Sequence, residues 1–395
     1  GCDGARSGVR SAIGCTLAGD QANHAWGVMD VLAVTDFPDI RTKCAIQSHS
    51  GGSILLIPRE GGHLFRMYVD LGEVPADGSN KVRETPIDTI IAKANDVENP
   101  DAGRLPRVFI TGDACHTHSA KAGQGMNVSM QDGFNLGWKL GHVLTDVSPA
   151  SLLSTYSAER QVVAKNLIDF DKQWSSMMAK RPEEFEDPSE LEDFYMRTIE
   201  FPAGFMTEYQ PSMITGETTY QALAAGFPVG KRFKSAPAIR VCDANPLQLG
   251  HLAEADGRWR LYVFADSAAV DTPSAIDEFA TWLKTSPQSP LQVAPQTEGV
   301  STWFDVKVIY QQPHEEIDIT RVPEAFKPEV GPFALVNLEN VFGSLPDDDI
   351  FSARGIDRHG AVVVVRPDQY VAHVLPLSAT EELAAFFKPI FTVGV

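Results

Sequence analysis

The chain has 395 residues, of which 43% are hydrophobic, so its length suggests two domains with substantial cores. It carries 33 lysines and arginines against 52 acidic residues, and the net charge of −19 disfavours nucleic acids and acidic membranes as partners. No apolar run approaches membrane-spanning length, and no signal peptide is visible. The five cysteines (Cys2, Cys15, Cys44, Cys115 and Cys242) are scattered without a CxxC motif, a pattern typical of a reducing cytoplasm.

The chain begins with a glycine-containing stretch, GCDGARSGVR, that spans residues 1–10. Ser7 is a suitable N-cap and Gly14 a suitable stop, which predicts a short helix over residues 7–13.

A run of strands follows. They are predicted over residues 26–34, 43–49, 53–58 and 64–71. Gly51-Gly52 and Gly61-Gly62 mark turns between them, so hairpins in an antiparallel sheet are expected. Pro86 then starts a predicted helix that continues to residue 94. We assign this sheet region to about residues 24–94.

The next stretch runs from a predicted buried strand, residues 107–111, through a glycine-containing loop into a predicted helix. Apolar or small residues recur every three to four positions in that helix and predict one buried face: Met126, Met130, Phe134, Gly137 and residues 140–144. A helix N-terminus presents unpaired N–H groups at the positive end of the helix dipole, and Asp113 adds an acceptor for hydroxyl groups. A flavin suits both, since it has a ribityl chain of hydroxyls and a pyrimidine edge that becomes anionic on reduction.

Two other interpretations of the loop are open. It can be a tight turn that holds no ligand. His116 and His118 could also bind a metal together with Asp113, but the loop offers no clear fourth ligand, so hydrogen-bonded histidines are favoured.

A long helix is predicted from Ser148-Pro149 to about residue 180, followed by an acidic stretch, 181–200, that is typical of a solvated face or a mobile lid. The character of the chain changes after residues 226–230. Strands are predicted over 258–265, 303–310, 361–366 and 370–375, and helices over 273–285 and 379–388. This β-α-β then β-β-α order is thioredoxin-like, and the missing CxxC excludes dithiol exchange. We place a domain boundary between residues 226 and 227.

Two stretches together resemble the single-component FAD-dependent aromatic hydroxylases. GDACHTH, KAGQGMN and QDGFNLGWKL (residues 112–140) resemble the second flavin motif of that family, and residues 1–10 resemble its DG motif. The subgroup indicated is that of phenol 2-monooxygenase and 3-hydroxybenzoate 4-monooxygenase. The resemblance implies an α/β fold, in which an FAD-binding domain carries an antiparallel substrate sheet and is followed by a thioredoxin-like domain (227–395). It also implies NADPH and O2 as co-substrates, a small phenolic substrate, and a homodimer with its contact through the thioredoxin-like domain.

The resemblance further implies which residues bind FAD. Asp3 is expected near the ribose and pyrophosphate, and Arg59 either neutralises flavin charge or pairs with Glu60. The ribityl chain and pyrimidine edge are expected at Asp113, Gly123, Gln124, Gly125, Met126 and Asn127. One departure is Ala120, where the family has a proline, which puts the rigidity of the loop in doubt.

Two sheet residues are expected to face an aromatic substrate. Lys43 matches a lysine of the family that faces the ring, and a buried carboxylate does need a cation. Tyr68 can hold a flavin or substrate oxygen while its ring packs on the substrate. The alternatives are a solvated strand lysine and a half-buried sheet aromatic. A carboxylated substrate, 3-hydroxybenzoate, is therefore favoured over phenol.

The family's first strand, G-x-G-x-x-G turn and helix have no counterpart here, and neither does a segment expected near residues 95–106. We expect such segments, including an acid/base partner, outside this sequence, and poor FAD binding or none by this chain alone. A second hypothesis is a binding protein that keeps the scaffold without the cofactor.

Overall fold

The computed structural model describes residues 1–5, 7–16, 24–32, 41–47, 53–59, 64–73, 109–116, 125–180, 184, 187, 189–198, 200–201, 205–270, 272–295 and 303–392. Two compact units are distinguished by contacts between residues. One consists of Gly1–Met130 and Val162–Pro202, and the other of Gln131–Gln161 and Ala203–Val395. The domain boundary between residues 226 and 227 stays a prediction.

The first unit begins with the short helix α1 (Gly8–Ala12). Ser7 is its N-cap, because the Ser7 hydroxyl accepts a hydrogen bond from the Arg10 N–H at 3.0 Å. Gly14, at φ +78°, takes the left-handed conformation that commonly ends a helix. The predicted helix is confirmed.

An antiparallel sheet follows in the same unit. Its strands are β1 (His24–Leu32), β2 (Cys44–Gln47), β3 (Ser53–Pro58) and β4 (Leu64–Glu73). Within the described ranges these four strands lie in the order β1-β4-β3-β2. Leu55, Leu56 and Phe65 are buried in this sheet. The predicted antiparallel hairpins are confirmed, whereas the helix predicted over residues 86–94 lies outside the described residues.

Three longer helices come next: α2 (Gly125–Leu144), α3 (Ser154–Ala179) and α4 (Glu190–Thr198). A 3-10 turn, Ala150–Leu153, precedes α3, so the long predicted helix starts a few residues late. The acidic stretch contains α4, whose Phe194 stacks on Trp174 with ring centroids 6.0 Å apart. Among the residues described, no helix is both long and apolar enough to cross a membrane.

The predicted buried face of α2 is wrong. Met126, Met130 and Leu144 are 72%, 58% and 77% exposed. The buried face instead includes several polar side chains, namely Asp132, Asn135, Lys139 and His142. These side chains can be buried because distant parts of the chain supply hydrogen-bonding and ionic partners, which outweighs the apolar pattern.

In the second unit, nine further strands and four further helices are described. The strands are β5 (Pro237–Arg240), β6 (Asn245–Gln248), β7 (Trp259–Phe264), β8 (Phe304–Tyr310), β9 (Glu329–Val330), β10 (Leu335–Val336), β11 (Val341–Gly343), β12 (Ala361–Val365) and β13 (Val371–Leu375). The helices are α5 (Ala275–Thr285), α6 (Pro290–Val293), α7 (Ile350–Ala353) and α8 (Thr380–Phe387).

Seven of these described strands form one mixed sheet in the order β13-β12-β7-β8-β11-β5-β6. β7 and β8 run parallel, whereas β12 is antiparallel to both β7 and β13. Leu261 and Val263 of β7 enter one core while Tyr262 and Phe264 enter another, so the sheet is covered on both faces. The predicted thioredoxin-like order is confirmed.

Three short strands of this sheet have no counterpart among the predicted elements, namely β5, β6 and β11. Pro237 in β5 and Asn245-Pro246 in β6 are residue types that favour turns and edges. β11 has three residues, too few for a periodic signal. Pairing of β5 with β6 and β11 at one end of the sheet stabilises these strands, although their own residues have little preference for strand structure.

A buried ionic cluster joins α2, α3 and the turn between β12 and β13. We define it as Asn135, Lys139, Glu159, Arg366 and Asp368. Glu159 accepts from Lys139 Nζ at 2.8 Å and from both terminal nitrogens of Arg366, at 2.5 and 2.9 Å. Arg366 also donates to Asp368 at 2.7 and 2.9 Å, and Asn135 donates to Glu159 at 2.8 Å. The four charges balance, as burial requires.

Candidate functional site

The two motif stretches, which lie about a hundred residues apart in the sequence, are hydrogen-bonded to each other in the first unit. The Thr111 N–H donates to the Gly1 carbonyl at 3.1 Å, and the Gly1 amino group donates to the Phe109 carbonyl. Residues 109–111 are hydrogen-bonded to Gly1 but do not form a regular strand in the part of the chain that the structure describes. This corrects the predicted strand over 107–111, of which residues 107 and 108 lie outside the described residues.

Arg10 is the side chain that fastens the two stretches together. It is 9% exposed, and its guanidinium donates to the Ala114 carbonyl at 3.1 Å and to the Ala5 carbonyl at 2.8 Å. Sequence reasoning missed this residue. The only available signal was the position of an arginine inside the DG motif, since spacing alone does not relate it to Ala114.

Asp3 lies on the surface beside α1. One carboxylate oxygen accepts from the Ser7 hydroxyl at 2.6 Å, and the other accepts from the N–H groups of Gly8 and Val9 at 2.8 and 3.2 Å. The Ser7 hydrogen bond, followed by that from Val9, lowers the pKa of Asp3 to about 2. A carboxylate has about four acceptor positions, and the hydrogen bonds from Ser7, Gly8 and Val9 take three of them.

Asp113 lies in a 3-10 turn, Gly112–Ala114, that packs against the beginning of α2. Gly112 has φ +59°, and a Cβ atom there would lie 2.8 Å from the Ser129 hydroxyl. Ser129 is one turn beyond Gly125, the first residue of α2. The close approach thus places the turn that carries Asp113 beside the first turns of α2, with Asp113 itself exposed.

The residues present fit the edge and sugar-alcohol chain of a flavin. The first turn of α2 carries no acidic side chain that would compete for its N–H groups. Asp113 supplies an acceptor for hydroxyls, and Asn127 is half-buried on the same turn. Met126 is exposed. The predicted positions Gly123 and Gln124, together with Ala120, lie outside the described residues.

The predicted substrate residues belong to the antiparallel sheet. Lys43 directly precedes β2, and Tyr68 lies on β4, where its backbone pairs with Leu55 of β3. The order β4-β3-β2 places one strand between them. The side chain of Tyr68 lies outside the described part. Lys43 has an exposed side chain, yet partial removal of water by neighbouring protein lowers its pKa.

Arg59 follows the end of β3. Its carbonyl accepts from Arg41 Nη2 at 3.1 Å, and its side chain is half-buried. Glu60, its alternative partner, lies outside the described residues. The structure therefore places Tyr68 in this sheet and Lys43 and Arg59 at the ends of its strands, and the role of each stays a prediction.

Two family models match the chain. A model described as FAD binding domain matches residues 1–103 and 101–171. A model described as Phenol hydroxylase, C-terminal dimerisation domain, matches residues 207–394.

Curated relatives match almost the whole chain. The chain is 48% identical to 3-hydroxybenzoate 4-monooxygenase of Comamonas testosteroni, over 98% of this chain and 67% of that protein. It is 36% identical to the FAD-dependent monooxygenase terD of Aspergillus terreus, over 98% of this chain and 68% of that protein. It is 31% identical to phenol 2-monooxygenase fsqG of Aspergillus fumigatus, with the same coverage. The chain thus spans about two thirds of the length of these relatives.

Solved structures have the same fold. A complex of aklavinone-11 hydroxylase with FAD and aklavinone has a TM-score of 0.58 at 18% identity, over 98% of this chain and 66% of that one. CabE, an aromatic hydroxylase from angucycline biosynthesis, has a TM-score of 0.55 at 22% identity, over 99% and 70%. The two flavin motifs joined through Arg10, the matched domains and these relatives agree. The chain belongs to the FAD-dependent aromatic hydroxylases and is a flavoprotein monooxygenase.

Proposed function

We propose that this enzyme hydroxylates 3-hydroxybenzoate to 3,4-dihydroxybenzoate, using NADPH and O2. The observation that carries the proposal is the 48% identity to 3-hydroxybenzoate 4-monooxygenase over 98% of the chain. The scattered cysteines and the use of NADPH suit a cytoplasmic enzyme. The match of residues 207–394 to a dimerisation domain supports a homodimer.

Lys43 supports the choice of an aromatic acid. A benzoate carboxylate that enters an apolar pocket needs a cation, because a buried unpaired charge is costly. Burial by neighbouring protein lowers the pKa of Lys43, and a cation with part of its water removed would pair more strongly with a carboxylate. A neutral phenol has no carboxylate that could form an ion pair with the ammonium group of Lys43.

The other predicted site residues would bind FAD and the substrate and hold them in position. When bound, FAD supplies reducing equivalents from NADPH and the activated oxygen that is transferred to the ring. Asp3, held ionised by Ser7 and the first N–H groups of α1, would accept a hydrogen bond from a ribose hydroxyl. Asp113 would accept hydrogen bonds from ribityl hydroxyls, and the N–H groups at Gly125–Asn127 would bind the electron-rich pyrimidine edge. Tyr68 holds the phenolic oxygen of the substrate and so keeps the ring electron-rich.

The test measures substrate-stimulated NADPH oxidation by the purified natural gene product with 3-hydroxybenzoate, 4-hydroxybenzoate and phenol, and identifies the products. We expect the highest kcat/KM with 3-hydroxybenzoate and 3,4-dihydroxybenzoate as the product. Preference for phenol with catechol as the product would contradict the substrate assignment. A colourless protein without flavin absorbance would instead support the cofactor-free binding protein.

A further inference from the structure

A cavity of about 340 Å³ lies in the second unit, at the end of the mixed sheet where β8 begins. That volume falls within the roughly 300–1,000 Å³ that is typical of small-molecule sites. Its wall includes residues 304–307 of β8 and, from other parts of the unit, Leu252, Leu291 and Asn340. Because residues 304–307 are buried, the cavity extends to the buried part of the sheet.

One face of the sheet changes from apolar to charged at this end. Phe264 of β7 belongs to a hydrophobic core, and Arg260 lies on the same face, four residues earlier. On β8, Asp305 and Lys307 likewise share a face with Ile309 of that core. Arg260 and Asp305 are neighbours in the parallel register. Asp305 and Lys307 line the cavity, so its buried end is charged.

Positive charge exceeds negative charge in this group of side chains. Lys307 donates to Asp305, and Arg260 Nε lies 3.8 Å from the same carboxylate. A second carboxylate, Asp256, pairs with Arg258 at 2.6 Å and with Arg260 at 2.7 Å. Three cations therefore share two carboxylates, which leaves one positive charge in a chain whose net charge is −19.

Lys307 is in an environment that disfavours its own charge. Burial lowers its pKa, and the attraction of Asp305 offsets only part of that effect. The positive charges of Arg260 and Arg258 lower the pKa further. An anion in the cavity would therefore stabilise this group of cations.

Three side chains of the cavity wall have hydrogen-bond donors without a partner in the described part of the chain. Lys307 has three N–H donors, and Asp305 is its hydrogen-bond acceptor there. Arg258 uses Nε on Asp256, which leaves both of its terminal nitrogens available. Asn340 is 7% exposed, and its side-chain amide has no partner there. Buried donors of this kind are costly unless a ligand or water accepts from them.

The rest of the wall favours an organic anion over an inorganic one. Leu291 and Phe304 line the cavity and offer apolar surface. Glu254 and Glu339 also line it, but both are exposed, and Glu339 pairs with Arg240 at 3.0 Å. A singly charged carboxylate with an apolar body suits this wall, whereas a phosphate brings more negative charge near two glutamates and makes no use of the apolar surface.

We propose that this cavity is a binding site for a small organic carboxylate with an apolar body, about the size of benzoate. Lys307 and Arg258 bind the carboxylate, with Asn340 as a further donor, and the apolar body packs on Leu291 and Phe304. The predicted flavin and substrate residues all belong to the first unit, so this is a second site. The hydroxylation reaction does not account for it.

The first test is photolabelling of the purified natural gene product with 4-azidobenzoate, followed by mass-spectrometric mapping of the labelled peptides. We expect label within residues 251–258, 304–307 or 325–340, and we expect excess benzoate to remove it while neutral benzamide does not. Absence of label from these three segments would overturn the proposal, whatever is labelled elsewhere. Competition by inorganic phosphate as strong as that by benzoate would refute the assignment of an organic carboxylate.

The second test compares variants by the concentration of 4-azidobenzoate that half-saturates this label. Arg258→Gln should raise that concentration at least about tenfold, because it removes a charge-assisted hydrogen bond. Arg258→Lys keeps the charge and should restore part of the binding. The matched control, Arg321→Gln, removes an exposed arginine of the same unit that does not line the cavity, and should have no effect.

An unchanged concentration in Arg258→Gln, or an equal rise in Arg321→Gln, would contradict the role of Arg258. Labelling of the wild type needs no variant, so the proposal stays testable if Arg258→Gln fails to fold. The label is located by peptide and not by turnover. Failure of the substrate assignment therefore leaves both tests intact.

Discussion

At the scale of single residues, Lys43 is the side chain on which the substrate assignment depends most. It is exposed to the surface, lies at the start of β2 and has a lowered pKa because neighbouring protein removes water from it. A partly desolvated cation in a sheet that also contains Tyr68 is suited to binding a carboxylate more than to solvation alone.

Replacement of Lys43 by methionine should therefore separate the two substrate classes. Lys43→Met removes a charge-assisted hydrogen bond, which contributes about 1.5–3 kcal/mol, so KM for 3-hydroxybenzoate should rise roughly 10- to 100-fold. The KM for phenol should change little, because phenol carries no carboxylate. Steady-state kinetics with both substrates checks this. Lys43→Arg keeps the charge and is the control; equal effects of Lys43→Met on both substrates would rule out the carboxylate role.

The sequence could indicate residues of this kind because they stand inside recognisable motifs. Asp3, Asp113 and Gly125 occupy motif positions, and the structure places them near hydrogen-bond donors or a helix N-terminus. Arg10 could not be singled out, since its contact with Ala114 joins residues 104 positions apart. No periodicity of the chain encodes such a distance.

At the scale of elements, the 3-10 turn Gly112–Ala114 and α2 are packed so closely that only glycine fits between them. Gly112 has a left-handed backbone, and the space beside it is filled by Ser129 of α2. The turn and the helix N-terminus are the parts predicted to hold the flavin, so their spacing controls the site.

Gly112→Ala should disturb this packing and reduce flavin binding. The left-handed conformation costs a non-glycine residue about 1–2 kcal/mol, and the added methyl group displaces Ser129. We expect a lower unfolding midpoint and a lower ratio of flavin to protein in the purified enzyme, measured by calorimetry and by absorbance.

Gly137→Ala is the matched control, because Gly137 is exposed on α2 and a methyl group added there would have open space around it. Alanine there should stabilise the helix by up to about 1 kcal/mol and leave flavin content unchanged. Normal flavin content in Gly112→Ala would show that flavin binding does not depend on the close packing of the 3-10 turn against α2.

Elements differed in how well the sequence predicted them. β7, β8 and β12 are rich in β-branched and aromatic residues, and their predicted bounds agree with the structure within one or two residues. In contrast, α2 buries Asp132 and Lys139 and exposes Met126 and Met130. The spacing of apolar residues therefore predicted the wrong buried face, because ionic partners from elsewhere in the chain determine which face of α2 is buried.

At the scale of the whole molecule, the buried ionic cluster joins parts that are far apart in the chain. Glu159 lies on α3, Lys139 on α2, and Arg366 beside β12, with Arg366 fully buried. Burial alone would raise the pKa of Glu159, but Arg366 and Lys139 outweigh burial and lower that pKa to about 2. The ionised form of Glu159 therefore stabilises the fold.

The free energy of unfolding should depend on pH through the ionisation of Glu159. The folded pKa of Glu159 is below its ordinary value of 4.5, so the stabilisation is fully present above pH 4.5 and is lost as pH falls toward about 2. At neutral pH, Glu159→Gln should lower the free energy of unfolding by about 3–5 kcal/mol, because it leaves Arg366 and Lys139 without their shared carboxylate. Urea unfolding at several pH values measures both effects.

The difference between wild type and Glu159→Gln should shrink as pH falls through the window from 4.5 to 2. The control is Asp169→Asn, which breaks an exposed pair with Lys165 at 2.8 Å and should cost less than about 0.5 kcal/mol. A difference that stays constant through this window would contradict the assigned pKa shift.

The partners of Glu159 also bear on how the protein is made. Glu159 and Arg366 are 207 residues apart, and the ribosome adds residues at about 5–20 per second, so roughly 10 to 40 seconds pass between their synthesis. During that interval the nascent helices α2 and α3 lack two members of the group they will bury. Their final packing therefore waits until residue 366 has been made, and release of the chain before that residue leaves a product that cannot complete it.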